Sequence, residues 1–92
     1  MTVPDPDPAV HARPVTEEEA RAAVTDALLR IVPDADLDEI GDDGNLRSEL
    51  ELDSLDFLSF VEQLSSTTRV RIDEDDYPAL RTMRSCIAFL TR

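Results

Sequence analysis

Apolar residues recur at helical spacing in three stretches of the chain. Ala20, Ala23, Val24, Ala27, Leu28 and Ile31 make the first stripe, and Pro33 closes it. Thr16 with Glu19 three residues later forms a capping box at its start, and Glu17 and Glu18 suit the positive end of the helix dipole. Phe57, Phe60, Val61 and Leu64 give an i, i+3, i+4, i+7 stripe after Asp53, a capping residue. That pattern fades into Ser65, Ser66, Thr67 and Thr68, whose hydroxyls compete with helix hydrogen bonds. Thr82 caps a third helix with Met83, Ile87 and Leu90 on one face and Cys86 beside them. Between the last two, Val70-Arg71-Ile72 reads as an extended link and Asp73 to about Leu80 as a short helix loosened by Pro78. No segment alternates as a strand would. The expected fold is all-α, a small bundle of three main helices plus one short helix.

Two segments carry no such stripe. Residues 1–15 hold Pro4, Pro6, Pro8 and Pro14 with Asp5 and Asp7 between them, which predicts a disordered Pro/Asp-rich tail before a domain of residues 16–92. His11 lies in that tail as the sole histidine, without partners for metal binding or base catalysis. Residues 34–52 read as a long acidic loop with Gly41 and Gly44 as flexible points. Ile40, Leu46, Leu50 and Leu52 are the residues able to pin it to the core. A loop of this length in so small a domain predicts either a function or firm anchoring.

Ninety-two residues make a single domain. A chain this short buries only roughly 60% of its unfolded surface, which leaves little room for an enclosed catalytic pocket. Aromatics are 4% of the chain and there is no Trp, so the core is expected to be mostly aliphatic. Twenty-one acidic residues against nine basic ones, all of them Arg, give a net charge of -12. Such a surface repels nucleic-acid backbones and anionic lipid headgroups, so neither nucleic acid nor membrane is an expected partner. It favours encounter with proteins bearing basic patches. The single cysteine fits a reducing, cytoplasmic setting, and the N-terminus lacks the pattern of a secretory signal. No apolar run has the length of a membrane span.

The chemistry concentrates in Leu50-Glu51-Leu52-Asp53-Ser54-Leu55-Asp56. It sets a serine in the first turn of a helix, directly after the acidic loop. Helix N-termini offer unpaired N–H groups and partial positive charge, so a phosphodiester on Ser54 would be stabilised there with its attached group in solvent. Asp53 and Asp56 flank that hydroxyl. Residues 16–92 contain no His or Lys, and no G-x-S-x-G elbow, so nothing in the pattern activates Ser54 as a nucleophile. No catalytic residue is assigned. Ser54 is expected to be a substrate of another enzyme.

Asp53-Ser54-Leu55 resembles the D-S-L attachment motif of acyl carrier proteins, and the likeness extends over roughly residues 16–92. Leu46-Arg47-Ser48-Glu49-Leu50 resembles the family's lead-in to the serine. Leu58, Val61 and Leu64 stand where the family places core residues of the following helix. Val70 to Tyr77 is similar to the acidic link into its short third helix, and Thr82-Met83 with Ile87 matches its last helix. The resemblance implies a bundle of that family's type and a covalent 4'-phosphopantetheine arm on Ser54, transferred from coenzyme A by a phosphopantetheinyl transferase. The arm's thiol would carry acyl intermediates as thioesters for fatty-acid, polyketide or related specialised pathways. Partner enzymes with basic docking patches would grip Asp53, Leu55, Asp56 and Glu62, and the carrier would act as a cytoplasmic monomer. With no fused domain in the chain, a stand-alone carrier is expected.

The chain also departs from the family. Ser59, Ser65 and Ser66 replace expected acids on the helix after the serine, Thr68 replaces an aromatic, and Asp73 replaces a proline. Phe57 is bulky where the family tends to be small. The expectation is that Phe57 and Phe60 narrow the acyl cavity, so that the cargo is short, polar or specialised. A peptidyl or aminoacyl carrier shares the same residues, and an unmodified acidic helical interaction module is the other class left open. Asp34, Asp36 and Asp38 begin like a calcium-binding EF-hand loop. The sixth and twelfth positions, however, are Glu39 and Asn45 instead of Gly and Glu, so no dedicated metal site is expected. Cys86, on an apolar face, reads as a packing residue.

Overall fold

The computed structural model describes residues 15–92. The expected tail therefore lies outside the described residues except for Val15, which packs against the core; His11 lies outside them as well. Three longer helices form as the stripes predict: α1 (Glu17–Ile31), α4 (Ser54–Thr68) and α5 (Met83–Thr91). Two single turns, α2 (Leu37–Ile40) and α3 (Leu46–Glu49), and a 3₁₀ segment, η1 (Glu74–Leu80), complete the order. Among the described residues there is no strand.

Helix starts follow their caps. Thr16 Oγ1 accepts from the Glu19 amide at 3.0 Å and Glu19 Oε1 accepts from the Thr16 amide at 3.1 Å. Thr82 and Ser85 repeat the reciprocal arrangement at α5, with Ser85 in the role usually taken by Glu or Gln. At α4 the serine and threonine tail stays helical through Thr68. The Thr68 hydroxyl donates back to the Leu64 carbonyl at 2.7 Å, so it is satisfied within the helix. Arg69 then ends the helix in the left-handed conformation, φ 60°.

Helix α1 lies against both α4 and α5, and η1 packs on α5. Ala20, Ala23, Val24, Ala27 and Leu28 face inward on α1. Phe57, Phe60, Val61 and Leu64 meet them from α4, and Met83, Cys86, Ile87, Phe89 and Leu90 from α5. Phe89 was not part of the expected stripe, and it widens the apolar face of α5. Leu58, expected in the core from the family resemblance, is instead 43% exposed. At about 100° per residue, Phe57, Phe60, Val61 and Leu64 cluster on one arc of the helix, and Leu58 falls beyond its edge. Among the described residues no polar or charged residue is buried. Truncating one of the large buried aliphatics, such as Leu28 or Leu64, is expected to cost about 2–5 kcal/mol.

The segment expected as a loop, residues 34–52, is built differently. Asp36 accepts from the Glu39 amide and Asn45 from the Ser48 amide, so each Asx side chain nucleates one helical turn. A single turn has no period to read, which is why the sequence pattern shows only a loop. Gly44 is required between the turns: a Cβ there would lie 2.6 Å from the Ile40 carbonyl oxygen and 2.5 Å from its side chain. Leu46 and Leu52 are buried, while Ile40 and Leu50 pack partly against the core. The Leu46 amide donates to the Arg81 carbonyl at 2.8 Å, and the Arg84 amide to the Asp42 carbonyl at 2.9 Å. Two ion pairs reinforce the join, Arg21 with Asp42 and Arg84 with Asp43. The segment is anchored at four places, and its far end delivers the chain to α4.

Candidate functional site

The approach to Ser54 is set by a tight reversal. Helix α3 closes with the Leu50 amide on the Leu46 carbonyl, and Glu51 then takes a left-handed conformation, φ 53°. The Leu52 amide returns to the Arg47 carbonyl at 2.9 Å, which drives the Leu52 side chain into the core. Asp53 follows in extended geometry and accepts from the Asp56 amide at 2.8 Å. Ser54 is thereby fixed as the first residue of α4, exposed, with its backbone amide at the open end of the helix.

Three of the four expected docking residues share this turn. Asp53 is exposed, with its carboxylate engaged as the cap. Leu55 is 74% exposed, the most exposed large apolar side chain among the described residues. Asp56 is half-buried, and Glu62, exposed, stands two turns further along α4.

Beside Ser54 runs an open groove of about 690 Å³. Ser54, Phe57 and Leu58 line it from α4, Arg47, Ser48 and Leu52 from the anchored segment, and Tyr77, Pro78, Leu80 and Arg81 from η1 and its exit. Its floor is aromatic, since Phe57 and Tyr77 meet edge to face. Phe57 therefore stands where the bulk was expected to narrow a cavity. Phe60 does not: it is 1% exposed, sits in the core at 6.2 Å from Phe57, and lines no part of the groove.

The sequence reading missed Arg47 as a site residue. Its Nε donates to the Leu52 carbonyl at 3.2 Å, its guanidinium lies 5.3 Å from the Phe57 ring centroid, and Nη2 reaches Ser54 Oγ at 3.4 Å. Only the reversal at Glu51 brings a residue seven positions upstream onto the serine, and no periodicity signals that. A guanidinium cannot take a proton from Ser54, so the arrangement presents a hydroxyl without activating it. Cys86 is remote in role as well: it is fully buried, and burial pushes its thiol up to about 12, which keeps it protonated.

A family profile described as the phosphopantetheine attachment site matches residues 22–90. No curated protein and no solved structure matches the chain at a significant level. The geometry fits such a group. The hydroxyl is open to solvent, a cation already points at the oxygen that would become an ester, and a groove with an apolar floor begins at the same residue. On this match, which covers well over half of the chain, the chain belongs to the phosphopantetheine attachment-site family, the carrier domains that hold a covalently attached 4'-phosphopantetheine arm.

Proposed function

We propose that this carrier domain, residues 16–92, is an acyl carrier loaded at Ser54. The exposed hydroxyl of Ser54 in Asp53-Ser54-Leu55, at the first position of α4, carries the reading. A phosphopantetheinyl transferase would join Ser54 Oγ to the phosphorus of coenzyme A nearest the pantetheine. The serine proton would pass to the transferase's base and the adenosine bisphosphate would leave. The arm supplies a terminal thiol that holds an acyl group as a thioester. The chain's own residues present and position. Asp53 fixes the turn, the open helix end favours the phosphodiester, and the surrounding surface offers the grip.

Docking falls to Asp53, Leu55, Asp56 and Glu62. A bare leucine beside acids suits an enzyme whose basic patch surrounds a small apolar socket. The serines at 59, 65 and 66 leave the rest of α4 short of the acids expected of a fatty-acid partner set. Phe57 and Tyr77 floor the groove and favour short or specialised cargo of the fatty-acid, polyketide or related kind. Among the described residues no helix is long and apolar enough to cross a membrane. The reading is of a cytoplasmic monomer that visits its enzymes.

The test is intact-mass measurement after incubation with coenzyme A and a promiscuous transferase, on the native protein and on Ser54→Ala. One arm's mass should be added to the native protein and none to the variant. An unchanged native mass would leave the unmodified interaction module as the answer, and an equally loaded variant would place the attachment elsewhere. Copurifying groups on protein isolated from cells separate acyl cargo from peptidyl or aminoacyl cargo.

A further inference from the structure

Eight arginines lie among the described residues, and four of them, Arg21, Arg30, Arg71 and Arg84, form ion pairs with aspartates. In a chain with 21 acidic residues, a guanidinium that forms no ion pair among the described residues invites explanation. Arg92 ends the chain and stacks over Phe89, and Arg69 is the left-handed cap of α4. The remaining two, Arg47 and Arg81, both line the groove that contains Ser54.

Arg47 is oriented before any ligand arrives. The Leu52 carbonyl accepts from Nε, the guanidinium carbon lies 5.3 Å from the Phe57 ring centroid, and Nη2 reaches Ser54 Oγ. The contact of 3.4 Å is long for a bond to a neutral hydroxyl. Phosphate oxygens built outward from Oγ would come closer to the same guanidinium, where charge assistance and the planar fork strengthen the pairing. A phosphodiester placed here also enters a neighbourhood of like charge, with Glu49, Glu51, Asp53 and Asp56 within a few residues. A cation at this place offsets that repulsion locally.

Resting on the reading of Ser54 as the loaded serine, we propose that Arg47 is a positioning residue for the arm. Its guanidinium pairs with the phosphodiester oxygens on Ser54 and turns the arm into the groove over Phe57 and Tyr77, with Arg81 as a second cation on the groove wall.

The sample is the holo protein with loading already established by intact mass, so failure of attachment is seen first and separately. The phosphorus-31 resonance of the diester is recorded for the native protein, Arg47→Gln, Arg47→Lys and Arg69→Gln, each folded and in urea. Native protein and Arg69→Gln should show a folded-state resonance displaced from its urea position and moving toward it as salt is added. Arg47→Gln should lose the displacement and the salt response, and Arg47→Lys should recover part of both. The native protein should also gain about two- to fivefold in its folding constant on loading, and Arg47→Gln should not, the range expected of an exposed ion pair. Arg47 is itself exposed, so far-UV circular dichroism should find the variants folded. An Arg47→Gln resonance that coincides with the native one, salt response included, would overturn the proposal.

Discussion

The ring of Phe57 meets that of Tyr77 edge to face, with centroids 5.2 Å apart and planes inclined at 77°. This contact ties the middle of η1 to the first turns of α4, immediately beside Ser54. It makes the groove floor a joint between two elements, so groove shape and local stability depend on the same pair.

Coupling between these rings should be measurable. Phe57→Ala should cost about 3–5 kcal/mol, since the ring is buried at the base of α4. In a cycle of Phe57→Leu, Tyr77→Leu and the double variant, urea denaturation should return a coupling of about 0.5–1.5 kcal/mol. Strictly additive losses would show that the two rings stabilise the fold independently.

Acid should loosen the anchored segment through two aspartates. The hydrogen-bonded guanidinium of Arg21 holds Asp42 below its ordinary value of 3.8, and that of Arg84 does the same for Asp43. A carboxylate with a depressed folded-state value contributes fully above the unfolded value. That contribution is lost as pH falls through the folded one. Thermal midpoints of the native protein should therefore fall more steeply below about pH 4 than those of Asp42→Asn with Asp43→Asn. Both pairs are exposed, so added salt should shrink the gap. Parallel acid profiles would exclude the pairs as the cause.

Two backbone positions hold strain that glycine would relieve. Glu51 and Arg69 both lie in the left-handed region, at φ 53° and 60°. A side chain there costs about 1–2 kcal/mol, and the extra freedom of glycine in the unfolded chain returns part of it. Glu51→Gly and Arg69→Gly should each gain about 0.5–1 kcal/mol, seen as a rise of a few degrees in midpoint. A lower midpoint for Glu51→Gly would mean that its side chain contributes more than its conformation costs.

The three longer helices were legible because each combines a capping residue with several turns of apolar period. Thr16, Asp53 and Thr82 all serve as predicted, and the stripes differ from the buried faces mainly by the addition of Phe89. The one-turn helices behind Asp36 and Asn45 were not legible, because four residues cannot display a period of 3.6. Ser54 stood out through its motif and its place after a cap. Arg47 and Tyr77 reach the site only through a chain reversal and an aromatic contact, and neither is local in sequence. Leu58 shows the opposite failure: the family frame placed it inside, while the phase set by Phe57 and Val61 turns it toward the groove.

Cys86 supplies a test of the core and a practical condition for studying the carrier. Its burial among α1, α4 and α5 raises the thiol from 9.0 to about 12. A raised folded value means that the associated stability is complete below pH 9.0, where both states keep the proton, and declines as pH rises toward 12. The decline is at most about 1.4 kcal/mol per pH unit. Unfolding curves of the native protein and Cys86→Ala between pH 8 and 11 should therefore converge as pH rises, since only the native chain gains a thiolate on unfolding. A constant gap would mean that the thiol ionises freely inside the fold. The same burial predicts that folded apo protein resists alkylation at pH 8 except through global opening, while the arm's thiol reacts at once. Labelling of holo protein should then be biphasic, with the fast phase absent from Ser54→Ala and the slow phase absent from Cys86→Ala.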